Sequence, residues 1–189
     1  MRRNTRQLLL TAGLVGITAC LDVSFNVDSV ADLAVDSAQA SYNGTVDFDL
    51  STNNDFQSHK SNVNGINLEK VTVSITSVNS ATNKSTRLIS GSIFLRAAGA
   101  PANGSQDVLV GDIGQPLSFH DYLAASAGGG GQTYSLPITG ATAANKFLMD
   151  NVVRGTGRFT AVVNVVTDDP ATHMVLHLDF HNSLSYGLL

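Results

Sequence analysis

The sequence predicts a mainly β fold, an antiparallel β-sandwich with one or two short helices, in a single domain that spans residues 20–189. Short stretches such as "TVDFDL" and "HMVLHLDF" alternate apolar and polar residues, as strand side chains do when they point to opposite faces of a sheet. Clusters of Asn, Asp, Ser and Gly, which favour turns, separate these stretches. With 189 residues, 43% of them hydrophobic, the chain is long enough to bury a core of its own.

Residues 1–19 form a segment of a different kind. Three arginines precede an apolar run from Leu8 to Ala19. That run is about 12 residues long, whereas a membrane-spanning helix needs roughly 20. A charged start, a short apolar middle and small residues at the end predict a secretory signal peptide.

The stretch "ITAC" that closes this segment ends in Cys20, the one cysteine of the chain. It resembles the lipobox of bacterial lipoproteins, and the resemblance covers residues 1–20. It implies that the Cys20 sulfur receives a diacylglyceryl group, that cleavage precedes Cys20, and that the new amino group is acylated. It also implies a lipid anchor in the bacterial cell envelope, on the outer membrane in a Gram-negative source. The alternative is an ordinary secretory signal with an incidental cysteine.

Net charge limits the partners of the mature chain. Removing the three arginines of residues 1–19 from the 11 basic residues leaves eight, against 15 acidic residues, for a net charge near −7. An acidic domain without a basic cluster is poorly suited to bind nucleic acid or an anionic membrane surface. The expected membrane contact is therefore the lipid on Cys20.

The first part of the domain predicts two strands and a short helical segment. "LDVSFNV" alternates as a strand, residues 29–42 are open between strand and irregular structure, and Asn43-Gly44 is a turn signal. "TVDFDL" is the second strand, with Val46, Phe48 and Leu50 on one face. The polar residues 51–65 allow one or two helical turns.

The clearest strand, "INLEKVTVSITSV", changes phase in its middle. Apolar residues occupy even positions at Ile66 and Leu68, then odd positions from Val71 onward. A change of phase needs one extra residue, which predicts a β-bulge near Glu69–Lys70. "RLISGSIFLRA" is predicted to return as its partner strand.

The remaining chain predicts one strand, two helices and a closing hairpin. Residues 107–113 are predicted to form a strand, residues 116–127 a short helix, and the glycines at 128–131 a flexible excursion. Residues 139–155 form the most convincing helix, with Thr139 or Thr142 as its cap and Gly155 at its end. Strands on either side of "TDDPAT" are predicted to pair as a hairpin.

The last predicted strand has a polar face that carries histidine and aspartate, the residue types that bind metal ions. His173, His177, Asp179 and His181 lie on one side of it. Neighbours on a strand face are about 7 Å apart, so one pair could reach an ion, but His177 and His181 are about 13 Å apart. A zinc site would need a third ligand from elsewhere. A solvated face is favoured, and His177, Asp179 and His181 remain weak metal candidates.

A second group of oxygen ligands lies in "VDFDLSTNND". Asp47 and Asp49 begin an alternation of acidic and polar residues that is similar to a calcium loop. Such a loop also needs Gly at its sixth position and Glu at its twelfth. Here Thr52 and Ser58 occupy those positions, so Asp47 and Asp49 are also weak candidates, and a solvated strand face is favoured.

The sequence contains none of the common catalytic motifs, namely GxSxG, HExxH or a phosphate-binding loop. We therefore expect a non-enzymatic binding, adhesion or structural module without a cofactor, with a protein or glycan as its partner. The alternatives are a carrier or assembly factor for an apolar ligand and, third, a metal-dependent enzyme. A filled core would favour the binding module, a continuous apolar cavity the carrier, and three converging ligands the enzyme.

Overall fold

The computed structural model describes residues 22–78, 86–169 and 172–187, and it confirms the predicted antiparallel β-sandwich. The predicted signal peptide and Cys20 lie outside the described residues, as do positions 79–85, which join the predicted strands at 66–78 and 87–97. The strands are β1 (Asp22–Ser37), β2 (Ser41–Asp49), β3 (Val63–Val78), β4 (Arg87–Ala97), β5 (Val108–Ile113), β6 (Leu117–Ser118), β7 (Tyr134–Leu136), β8 (Arg158–Thr167) and β9 (Thr172–Gly187).

Two sheets face each other. In sheet A the strand order is β1-β9-β3-β7, and in sheet B it is β2-β8-β4-β5, with β6 paired to β4. The helices are α1 (Asn54–His59), α2 (Phe119–Tyr122) and α3 (Ala141–Leu148), and α3 continues as a π-helix over Met149–Thr156. Short 3₁₀ turns cover Leu50–Thr52, Lys60–Asn62 and Ala125–Ala127. Within the described ranges, no helix has the length and apolar character needed to cross a membrane.

Residues 29–37, which the sequence left open, belong to β1. This strand pairs along its whole length with β9, from Asp22 opposite Gly187 to Ser37 opposite Thr172. The turn predicted at Asn43-Gly44 is wrong, because both residues lie inside β2, opposite Asn164 and Val163 of β8. Pairing with a central strand overrides the local preference of this dipeptide for a turn.

The phase change in β3 is confirmed as a bulge. Leu68 lies opposite Asn182 of β9, and the next paired residue, Lys70, lies opposite His181. The extra residue is therefore Glu69, where the sequence placed it. The bulge keeps the apolar residues on both sides of it in the core, and Leu68 and Val71 are both buried.

The two predicted hairpins do not form. β4 pairs with β8, β5 and β6 but not with β3, and β9 pairs with β1 and β3 but not with β8. The β3–β4 and β8–β9 connections each join a strand of one sheet to a strand of the other instead. The apolar face of a strand looks the same whether its chain neighbour lies beside it or across the core, so alternation could not distinguish the two arrangements.

Side chains fill the space between the sheets. Phe48 and Phe159 of sheet B stack with their ring centroids 4.8 Å apart, and Phe180 of sheet A meets them edge-on at 5.0 and 5.6 Å. Burial is confirmed for the residues predicted to be buried near the C-terminus: Phe159, Val163, Leu176, Leu178 and Phe180. They face each other across the core rather than within one hairpin.

Helix α3 begins differently from the prediction. Its N-cap is Gly140, without a side-chain cap. The Thr139 N–H donates to the carbonyl of Val110, which joins this segment to β5, and Thr142 already lies inside the helix. At the other end the backbone of Gly155 is non-helical, with φ −100° and ψ −137°, so helical conformation is interrupted at the predicted residue. The segment closes at Gly157, whose φ is +80°, a conformation that favours glycine.

The glycines at 128–131 are not a free excursion. The Gly130 N–H donates to the His120 carbonyl and the Gly131 N–H to the Leu123 carbonyl, at 2.5 and 2.7 Å. A Cβ on Gly129 would lie 2.4 Å from the Cβ of Leu123. The segment folds back against the end of α2, and this close approach of two backbones excludes side chains.

Candidate functional site

A ladder of histidine–aspartate pairs crosses the outer face of sheet A. Each histidine of β9 that the sequence singled out faces an aspartate of β1 directly across the strand pair. The Nδ1–Oδ1 distances are 2.7 Å for His173–Asp36, 2.7 Å for His177–Asp32 and 3.1 Å for His181–Asp28. We refer to these three pairs as the His–Asp ladder.

The third rung of the ladder has an additional carboxylate. His181 Nδ1 lies 3.1 Å from Asp28 Oδ1, and its Nε2 lies 3.1 Å from Asp179 Oδ2. Both nitrogens of an imidazole can donate only when the ring is protonated. The other oxygen of Asp179 is buried and has no hydrogen-bond partner among the described residues, so this carboxylate is only half satisfied.

The rungs do not converge on a common point. Successive histidines are four residues apart along β9, which places them about 13 Å from one another. Asp179 contacts His181 and not His177. Within residues 22–78, 86–169 and 172–187, no three His, Cys, Asp or Glu side chains are placed to hold a metal ion. The three histidines are 33–40% exposed, so the ladder is a solvated polar face.

Asp47 and Asp49 lie on the outer face of sheet B, and each is held by neighbouring side chains. Asp47 accepts a hydrogen bond from Thr160 Oγ1 at 2.6 Å. Asp49 accepts from the Ser51 N–H at 2.8 Å and from Arg158 Nε at 2.9 Å. The hydrogen bonds from Ser51 and Arg158 lower the pKa of Asp49. The two carboxylates thus serve local hydrogen bonds.

We predict that the His–Asp ladder binds no metal tightly. His173 and His177 each contact a single carboxylate, and the two carboxylates at His181 contact opposite nitrogens of its ring, so they do not converge on one ion. A structural zinc site would contribute to folding, so a chelator would lower the melting temperature of the protein. Metal analysis of protein purified without an affinity tag, with melting curves recorded with and without chelator, checks this. One equivalent of zinc that is lost together with stability, and is absent in His177→Ala, would contradict it.

A second feature lies on the opposite side of the molecule, where a row of polar side chains crosses sheet B. Asn43 of β2 lies opposite Asn164 of β8, Asn164 opposite Ser92 of β4, and Ser92 opposite Asp112 of β5. We call these four residues the polar row. Four strands bring them into one line, although they are far apart in the sequence.

The polar row lies in an open groove of about 610 Å³. Ser92 Oγ donates to Asp112 Oδ1 at 2.6 Å, which orients the carboxylate at one end. Asn164 Oδ1, in the middle, is buried and without a hydrogen-bond partner among the described residues. Ser41 and Ser90 extend the polar lining. The groove therefore offers amide, hydroxyl and carboxylate groups within one shallow depression.

A smaller cleft of about 260 Å³ continues the groove and shares Asn43 and Asn164 with it. A buried ion pair holds the loop that borders this cleft: Arg96 Nε and Nη2 donate to the two oxygens of Asp107 at 2.7 and 2.6 Å. The hydrogen bonds from Arg96 to Asp107 raise the pKa of Arg96. A bidentate ion pair restricts the relative positions of its two side chains. The loop that carries Asp107 therefore forms a rigid border of the cleft.

Sequence reasoning found one side of the ladder and missed the other. It named the histidines but not Asp28, Asp32 and Asp36, which repeat every four residues in β1 as the histidines do in β9. That shared spacing was a usable signal once both segments were taken as strands. The polar row had no such signal, because its members come from four strands whose order the sequence does not reveal.

No family model matches this chain, and no curated protein matches it. Among solved structures, cocksfoot mottle virus gives a TM-score of 0.39 at 14% identity, covering 100% of this chain and 95% of that one. Tobacco necrosis virus gives 0.35 at 11%, covering 88% and 98%, and Desmodium yellow mottle tymovirus gives 0.32 at 11%, covering 100% and 93%. These scores are too low to support a conclusion about function.

Proposed function

We propose that this chain is a lipoprotein of the bacterial cell envelope, anchored through a lipid on Cys20, and that its domain is a non-enzymatic binding module. The "ITAC" stretch after a charged and apolar leader supports the anchor. Two or three acyl chains suffice for stable membrane attachment, whereas one does not. In a Gram-negative source the membrane is the outer membrane.

The polar row is the observation on which the binding role rests. Asn43 presents a planar amide with a donor and an acceptor side by side, Asn164 lies opposite it with its Oδ1 buried, and Ser92 and Asp112 continue the line. Adjacent hydroxyl groups of a sugar ring both donate and accept, so they match such a row. Next to it lie Val162 and Phe94, apolar surface that suits the C–H face of a sugar. We therefore assign the groove to a glycan.

The filled core favours this role over that of a carrier. A carrier for an apolar ligand needs a continuous apolar space between its sheets. Here Phe48, Phe159 and Phe180 occupy the centre of that space in mutual contact. The groove of about 610 Å³ lies instead on the outside of sheet B, and its lining mixes polar side chains with apolar surface.

Asn164→Leu should abolish or strongly weaken glycan binding. Leucine has the same number of side-chain heavy atoms but neither donates nor accepts, and losing a hydrogen-bonded partner costs about 1–3 kcal/mol, or roughly five- to 150-fold in affinity. The measurement is binding of the protein to an array of bacterial envelope polysaccharides. Because Asn164 Oδ1 has no hydrogen-bond partner to lose among the described residues, the melting temperature should fall little.

Asn26→Leu is the matched control, since Asn26 is an exposed residue on the outer face of sheet A. It should leave binding unchanged. Binding to no polysaccharide, or equal binding by wild type and Asn164→Leu, would rule out the groove as a glycan site.

A further inference from the structure

We propose that the domain stands on the membrane with one defined end in the phospholipid headgroup layer, namely the end at which β1 begins. This inference rests on the proposed lipid anchor. The surface concerned, which we call the anchor-side end, consists of Phe25, His59, Lys60, Arg154 and Tyr186. The domain thus has a lipid-contacting surface at this end, although its net negative charge alone would be repelled by an anionic membrane.

The length of the tether is the first reason. Cys20 precedes Asp22, the first residue of β1, by two positions. Two residues span at most about 7 Å, and each headgroup layer of a bilayer is about 5–8 Å thick. A lipid on Cys20 therefore holds the start of β1 within or at the outer border of that layer.

The direction of β1 defines which end this is. A strand of 16 residues extends for about 50 Å, so Ser37 and the turn after it lie at the far end of the sandwich. Gly187 of β9 lies opposite Asp22, and Tyr186 lies opposite Val63, the first residue of β3. Helix α1, which precedes β3, is thus on the anchor side.

The chemistry of the anchor-side end suits a headgroup layer. Three half-buried rings form a cluster there: the centroids of Phe25 and His59 are 5.1 Å apart, those of His59 and Tyr186 4.9 Å, and those of Phe25 and Tyr186 5.8 Å. Tyrosine is enriched at membrane–water interfaces because its ring is apolar and its hydroxyl polar. Phe25 is three residues from Asp22, so this ring cluster lies next to the tether.

Cations border the same end. Lys60 and Arg154 line a surface cleft of about 580 Å³ together with Gln57 and Ser61. Lys60 Nζ donates to the Gly155 carbonyl at 2.8 Å, which holds its ammonium at the cleft. Arg154 also pairs with Asp150, which it shares with Lys146, and the residues that line the cleft include two cations and no carboxylate. Lipid phosphates are the anions that such a cleft would meet at headgroup depth.

Electrostatic repulsion disfavours the alternative orientation, in which the domain lies on the membrane along its β1 edge. The outer face of β1 bears Asp28, Asp32 and Asp36, whose side chains are 55–80% exposed. Carboxylates against an anionic lipid surface would be repelled and partly desolvated. The end-on orientation avoids this and directs the polar groove of sheet B sideways, away from the lipid.

Fluorescence quenching tests the orientation, and the chain is well suited to it because it has no tryptophan. Gln57→Trp places a probe on the anchor side and Gln39→Trp a matched probe at the far end; both glutamines are exposed. The lipidated proteins are reconstituted into phosphatidylethanolamine/phosphatidylglycerol vesicles containing a lipid spin-labelled at its headgroup. We expect strong quenching of Gln57→Trp and almost none of Gln39→Trp. Ser61→Trp is a second anchor-side probe if Gln57→Trp fails to fold.

The outcomes separate the two proposals. Failure of the protein to bind vesicles would overturn the lipid anchor itself. Stable binding with both probes equally quenched, or with neither quenched, would overturn the end-on orientation alone. Lys60→Glu combined with Arg154→Glu should reduce quenching of the Gln57→Trp probe, whereas Arg87→Glu at the far end should not. Equal quenching in all of these variants would exclude a headgroup contact through Lys60 and Arg154.

Discussion

Phe180→Ala should destabilise the protein by about 3–5 kcal/mol, the usual cost of removing a buried phenylalanine ring. Phe180 is fully buried and is the ring of sheet A that contacts both Phe48 and Phe159 of sheet B. Its loss would leave a cavity at the centre of the contact between the sheets. For a chain of this length the melting temperature should fall by roughly 10 °C, as measured by thermal unfolding followed by circular dichroism.

Asp179→Ala is the control, because Asp179 neighbours Phe180 in the chain and points to the opposite face of β9. It loses only its contact with His181, and a partly exposed ion pair contributes about 0–1 kcal/mol. Small and equal effects of the two substitutions would contradict both the orientation of β9 and the packing of the two sheets around Phe180.

Cys20→Ser should move the protein from the membrane fraction to the soluble fraction almost completely. Serine lacks the sulfur that would receive the diacylglyceryl group, and each buried CH₂ of an acyl chain contributes about 0.8 kcal/mol to membrane binding. The measurement is fractionation of cells that express the full chain, followed by detection of the protein in each fraction.

Ser24→Ala serves as the control for this substitution. Ser24 is an exposed residue of β1, close to the anchor but outside the lipobox-like stretch. It should stay in the membrane fraction. If Cys20→Ser also stays there, membrane attachment does not depend on Cys20, and the tether that orients the domain is lost with it.

The sequence predicted the strands well because their information is local. The phase change between Leu68 and Val71 predicted the β3 bulge, since burial of one face constrains every alternate residue. The same logic predicted burial of Leu176, Leu178 and Phe180. Each of these features follows from the period of a single strand and needs no knowledge of its neighbours.

Features that depend on the order of the strands could not be predicted in this way. Whether β9 pairs with β8 or with β1 is decided by packing of the whole core, because both arrangements bury the same apolar face. The pairing of His177 with Asp32 and the alignment of Asn43 with Asn164 follow from that order. The sequence therefore indicated only the histidines of the His–Asp ladder, and it did not indicate the polar row.

The most direct test of the lipid-anchored account is the intact mass of the protein extracted from membranes. We predict the mass of residues 20–189 plus a diacylglyceryl group and an amide-linked acyl chain, with every lipid located on the N-terminal cysteine by fragmentation. An unmodified polypeptide, or one that begins at a residue other than Cys20, would contradict the anchor and the membrane orientation derived from it.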